Sequence, residues 1–142
     1  MILTKEQKKQ VEEIGKKHKL DFIIIHGSQV TGKKGLDPDV DIAVYRNGGI
    51  DFDEQLKIFM ELDKVFEIFG ELDLKTLHKK DPLFRYLVIR DGKLLYGDRT
   101  AFNEYQAYAY RSYLDAGDLF ALRSNLVKKH IKELMRSFHV RC

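Results

Sequence analysis

Apolar and polar positions alternate along this chain with two different periods, and the switches between them mark out its elements. Thr4-Lys5-Glu6-Gln7 reads as a capping box. Val11, Ile14 and His18 follow in phase on one side of a helix that ends near His18. Phe22-Ile23-Ile24-Ile25 is a short β-branched and aromatic run that stops at His26-Gly27-Ser28, which predicts a buried strand running into a turn. Residues 29–38 carry Gly32, Gly35, Pro38 and two lysines and read as a loop. Asp39-Val40-Asp41-Ile42-Ala43-Val44-Tyr45 then alternates with the period of a strand and breaks at Asn47-Gly48-Gly49.

A second helix starts at Asp51. It carries Leu56, Phe59, Leu62, Val65, Phe66 and Phe69 at helical spacing, with Gly70 ending the run. Glu71 to Leu77 alternates again. Asp81-Pro82 pairs an N-cap with a first-turn proline and opens a helix to about Arg90. Asp91-Gly92 is a turn, Lys93 to Tyr96 a short strand, and from about Thr100 the pattern is helical to the end, with Gly117 as a candidate break. The order α-β-β-α-β-α-β-α predicts an α/β (α+β) fold, a small mixed sheet flanked by helices, in one domain over 1–142 with a C-terminal helix at about 100–138.

Strand phase makes the chemistry specific. Asp39 and Asp41 share one face of their strand, while Val40, Ile42 and Val44 take the other. Two ionised carboxylates side by side with an apolar core behind them repel, and a cation between them relieves this. An oxygen-only donor set suits Mg²⁺, which keeps water and substrate phosphates in its shell. Glu71 and Asp73 likewise share a face, so Asp73 could complete a three-carboxylate site if the two strands are neighbours, with Glu71 competing for that face. Gly27 allows close backbone approach to a phosphate, and Ser28 offers a hydroxyl and an N–H.

Gly27-Ser28, ten residues and Asp39-x-Asp41 match the Gly-Ser-x10-Asp-x-Asp signature of the DNA polymerase β-like nucleotidyltransferases. Residues 20–115 resemble the minimal nucleotidyltransferases, in particular the antitoxins of MNT–HEPN toxin–antitoxin pairs. The resemblance also rests on Leu72-Asp73-Leu74 and on the segment from Pro82 to Tyr96. It implies a polymerase β-like fold, two Mg²⁺ ions held by Asp39, Asp41 and Asp73, and a triphosphate held at Gly27 and Ser28. It further implies ATP as substrate and transfer of AMP to a tyrosine of a HEPN ribonuclease toxin, which is thereby silenced. Asp37-Pro38 departs from the usual Ser-Asp lead into the motif, without removing a ligand. Two other readings stay open: transfer to a small molecule or an RNA end, and an antitoxin that works by contact alone.

Composition narrows these choices. The 142 residues are 44% hydrophobic with one cysteine, Cys142, so an internal disulfide is excluded. With no membrane-length apolar run and no leader pattern, a reduced cytoplasmic protein is expected. The net charge of +3 is uneven: six basic residues and one acidic lie from Arg123 onward. Leu119, Leu122, Leu126, Val127, Ile131, Leu134 and Phe138 form an apolar stripe there, and Lys128, Lys132 and Arg136 a basic row. That row suits a solvated face, or a docking surface for an acidic partner or for RNA held near a ribonuclease partner, and without an RNA-binding motif direct nucleic-acid binding is not expected. Lys33 and Lys34 read as solvated loop residues, and His26 as a satisfied structural histidine. Tyr105, Tyr108, Tyr110 and Tyr113 read as core and partner-packing residues.

Overall fold

A computed structural model describes residues 2–27, 39–78 and 81–140, the last three without their side chains. In chain order the elements are α1 (Lys5–Lys17), β1 (Phe22–His26), β2 (Asp39–Tyr45), α2 (Phe52–Phe66), β3 (Glu71–Thr76), α3 (Pro82–Asp91), β4 (Lys93–Gly97) and α4 (Arg99–Val140). The expected order is therefore the observed one. The strands form a mixed sheet in the order β3-β2-β1-β4, in which β1 runs antiparallel to β2 and β4, and β2 runs parallel to β3. Among the described residues no helix is long and apolar enough to cross a membrane.

Helix ends follow the capping chemistry of the sequence. Thr4 and Gln7 close the capping box with bonds of 2.8 and 3.1 Å, Asp51 accepts from the Glu54 N–H at 2.8 Å, and Asp81 accepts from the Leu83 N–H at 2.9 Å. Two boundaries differ from the pattern. Helix α2 ends at Phe66, short of Phe69 and Gly70, because the chain turns there with a Phe69 N–H to Phe66 C=O bond. Helix α4 passes through Gly117 without interruption: a single glycine costs about 1 kcal/mol in a helix, too little to break one this long.

The central strand β1 is buried on both sides and divides the core in two. Ile23, Ile25, Val40, Ile42, Val44 and Leu72 pack under α1 and α2. Phe22, Ile24, Ala43 and Leu77 pack under α3 and α4, where they meet Val88, Ile89, Phe102, Tyr105 and Ala109. His18, buried at the end of α1, bonds Glu61 of α2 at 3.0 Å and lies 3.6 Å from Glu54, tying the two helices together. In β4 the pairing to β1 shifts at Ile23/Ile24, where a bulge turns consecutive Leu95 and Tyr96 toward the α1–α2 layer.

Gly97 ends β4 at φ +120°, and a Cβ there would meet the Asp21 carbonyl oxygen and come within 2.7 Å of the Phe22 Cβ. Both neighbours belong to the central strand region and cannot swing away. Gly97→Ala is therefore expected to cost at least about 2 kcal/mol in chemical denaturation. A loss under 0.5 kcal/mol, the range of roughly neutral surface changes, would show that this junction is loose.

Candidate functional site

The parallel register of β2 and β3 sets Asp39 opposite Glu71 and Asp41 opposite Asp73. The antiparallel register of β1 and β2 sets His26 opposite Asp41. These side chains share the face that α3 and α4 cover farther along the sheet, since Ala43 and Leu77 on that side belong to their core. At the Asp39 end the acids lie beyond that helical layer. His26, Asp41 and Asp73 thus form a row across three strands, with Asp39 and Glu71 as a second row beside it. Asp39, Glu71, Leu72 and Asp73 line a shallow cavity of about 250 Å³.

Gly27 follows β1 at φ +78°, a left-handed conformation that glycine adopts at little cost. A Cβ at this position would occupy the space of the Asp41 carboxylate, whose Oδ2 it would overlap and whose Cγ it would reach at 3.0 Å. Glycine is thus required both for the turn and for bringing the backbone against Asp41. Ser28, Lys33 and Lys34, which share the loop between the motif halves, lie outside the described residues.

Electrostatically the site is strained toward protonation. Burial pushes the Asp41 carboxyl above the usual carboxylate range, and the charges of Asp73 and then Asp39 add to this. Lys75 opposes them. Its Nζ lies 3.6 Å from Asp73 Oδ2 and 5.8 Å from the centre of the Phe84 ring, two residues beyond Asp73 on the same face. Sequence reasoning passed over Lys75, although the alternation Glu71-x-Asp73-x-Lys75 carries the signal. His26 is buried as expected, and burial lowers its pKa, but its Nε2 has no hydrogen-bond partner among the described residues. The expected satisfied histidine is therefore corrected to one with an open ring nitrogen beside the acidic row.

The donor set suits a hard divalent cation: carboxylate oxygens of like charge, one of them held close to a glycine turn. Among the described residues no three acidic, histidine or cysteine side chains converge into a ready-made cage. Such a cage is not demanded by Mg²⁺, which takes one or two carboxylates and completes its octahedron with water and phosphate oxygens. On this chemistry the residues fit the ion.

The tyrosines divide by position. Tyr105 is buried against Phe22 and Tyr45, with ring centres 5.4 and 4.5 Å away, and Tyr113 stacks on Tyr86 at 4.5 Å. Tyr108 and Tyr110 are half exposed.

The raised Asp41 value has a measurable sign. Its folded-state pKa lies above the unfolded one, so the folded chain retains the extra proton, and stability falls as pH climbs from near 3.8 through the raised value. Asp73→Asn removes the neighbouring charge that raises Asp41 the more. Between about pH 4 and 7 the urea midpoint of that variant is expected to drop less than that of the wild type. Parallel curves would show that Asp41 and Asp73 do not repel.

The family described as Polymerase beta, Nucleotidyltransferase matches residues 9–101. No protein with a curated description matches the chain. Among solved structures, a toxin–antitoxin complex with AMP-PNP is similar at a TM-score of 0.67 and 20% identity, over 87% of this chain and 98% of that one. A tri-AMPylated Shewanella oneidensis HEPN toxin in complex with MNT antitoxin is similar at 0.64 and 19%, over 89% and 97%. A spectinomycin adenyltransferase from Enterococcus faecialis with ATP and spectinomycin is similar at 0.50 and 14%, over 67% of this chain and 56% of that one. At such identities the likeness is one of fold. The family match spans most of the chain, from α1 through β4, and includes every carboxylate of the acidic face: the chain belongs to the polymerase β nucleotidyltransferase family.

Proposed function

We propose that this chain is an antitoxin of the MNT type, which transfers AMP from ATP to a tyrosine hydroxyl of a cognate HEPN ribonuclease toxin. The observation that carries this reading is the row of Asp41 and Asp73 across neighbouring strands, with Asp39 beside it and Gly27 against Asp41, in a chain of the nucleotidyltransferase family. Its likeness in fold to a toxin–antitoxin complex with AMP-PNP, and to an MNT antitoxin with an AMPylated HEPN toxin, supports the choice of nucleotide and acceptor.

In this reading Asp39, Asp41 and Asp73 would hold Mg²⁺, which supplies charge neutralisation at the phosphates. Gly27 and Ser28 hold the triphosphate at the turn that follows β1. The phenol oxygen attacks the α-phosphorus, the bond to the β-phosphate oxygen breaks and pyrophosphate leaves. Asp73, the more exposed partner of Asp41, takes up the phenolic proton. Lys75, with its Nζ 3.6 Å from Asp73 Oδ2, sets a positive charge beside that carboxylate.

A second reading, neutralisation by contact, is favoured by α4. Eighteen residues are five helical turns, so Phe102, Ala109, Tyr113 and Ala116 recur at the same azimuth as Phe120, Val127, Ile131 and Leu134. The first two of these are buried in the core, whereas the four later ones are all about half exposed or more. The face that packs on the sheet therefore continues beyond it as an apolar strip, a feature that marks interaction surfaces. The two readings are compatible, with α4 holding the toxin and the acidic face modifying it.

Incubation with the cognate toxin, ATP and Mg²⁺, read by intact mass, separates them. Gain of one or more adenylyl groups is expected, falling by roughly 100-fold or more in Asp39→Asn/Asp41→Asn and on chelation of the metal. Val127→Glu/Ile131→Glu is expected to weaken complex formation by roughly 100-fold, with the fold retained. A well-folded toxin that is bound and neutralised with no mass change would leave contact alone as the function.

A further inference from the structure

About 13 Å along β2 from Asp41, at the strand's other end, lies a second place where polar groups are left without partners. Tyr45, Leu77, His78, Arg85, Tyr105 and Tyr108 line a cavity of about 300 Å³ between the sheet, α3 and α4. Tyr105 is more than nine-tenths buried, and its hydroxyl has no hydrogen-bond partner among the described residues. Arg85 Nε is buried and equally without one. Arg85 Nη1 donates to the Tyr108 hydroxyl at 3.4 Å, the guanidinium stacks over that ring at 5.4 Å, and Arg85 is also close enough to the Tyr105 hydroxyl to oppose the effect of burial on it. Among the described residues no carboxylate forms an ion pair with Arg85.

Two orphaned groups in one cavity call for a common explanation, since a buried polar group without a partner is costly. Arg85 is an obligate donor, and the Tyr105 hydroxyl is kept protonated by burial, which pushes its pKa up to about 12. Tyr108 and His78 add further groups able to donate. The tyrosine hydroxyls can each accept a bond, but what the cavity lacks among the described residues is an anionic acceptor for the guanidinium. The free Nε edge of a guanidinium is the edge that forms two parallel bonds to a carboxylate or phosphate.

We propose that this cavity is a binding site for a small oxyanion, held by the Arg85 fork and the Tyr105 hydroxyl and separate from the acidic face. Phosphate is the favoured form, because its several oxygens can take the Arg85, Tyr105 and Tyr108 donors at once. Arg85 belongs to α3, the two tyrosines to α4 and Tyr45 to β2, so the anion fastens the root of α4 to the sheet.

The test is calorimetric titration of the full chain with inorganic phosphate, and separately with 5′-AMP, in EDTA with ionic strength held constant by chloride. Saturable binding of one phosphate per chain is expected, unchanged in Asp39→Asn/Asp41→Asn. It should weaken at least tenfold in Arg85→Gln and in Arg85→Lys, which keeps the charge but not the fork. Tyr105→Phe should weaken it severalfold while leaving the ligand-free chain at least as stable to heat, because the orphaned hydroxyl is gone. Comparable binding of 5′-AMP in the double aspartate variant would identify a phosphate monoester as the natural form, and binding of phosphate alone the free ion. Absence of saturable binding, or binding undiminished in both Arg85 variants, would overturn the assignment. Because every reading is made without metal or toxin, the outcome does not depend on nucleotide transfer.

Discussion

The parallel register between β2 and β3 is the constraint on which the acidic face depends. Asp39 and Asp41 begin one strand, and Glu71 and Asp73 begin another, thirty residues later. Only side-by-side pairing in this register makes four separate acids into two facing pairs. A slip of one residue would turn Leu72 and Leu74 onto the acidic face and bury Glu71 and Asp73 under α2. The apolar residues between the acids prevent this. Val40, Ile42, Leu72 and Leu74 pack under α1 and α2, and burial of four such side chains outweighs the repulsion of carboxylates on the half-exposed side.

That balance explains where the strain is stored. Hydrophobic burial on one face fixes the register, and the register forces like charges together on the other. Gly27 tightens the arrangement by bringing backbone into space that any side chain would share with Asp41. Lys75 relieves it in part, from the same strand and the same face. A cation or a proton relieves it further, which is why the raised pKa of Asp41 and the suitability of the site for a divalent ion are two expressions of one geometry.

Local features were legible because local chemistry determines them. The Thr4 and Gln7 box, the Asp81-Pro82 start and the alternation of Asp39 to Tyr45 each depend on neighbours within a few residues. The face shared by Asp39 and Asp41 could be read for the same reason. Strand order could not, so whether Asp73 or Glu71 stands beside Asp41 was open until β2 and β3 were seen to pair. His26 shows the same limit: burial follows from its place at the end of an apolar strand, whereas its unpartnered Nε2 depends on groups brought by other elements. The tyrosines of α4 looked alike in sequence and divide by helix face: Tyr105 lies with Phe102 and Ala109 against the core, whereas Tyr108 and Tyr110 lie on sides of the helix that the core does not cover.

The length of α4 gives that division a further meaning. At 42 residues it runs about 63 Å, far longer than the sheet it covers. Its first turns carry the second core, through Phe102, Tyr105 and Ala109. Beyond the sheet the same azimuth remains apolar for another eighteen residues, and basic residues flank it. A helix selected only to complete this core would turn polar once it passed Ala116. Continued apolar periodicity instead means that the surface lacking a neighbour is specified as closely as the one that has one. Packing inside the chain and packing against a partner would then use one helix face.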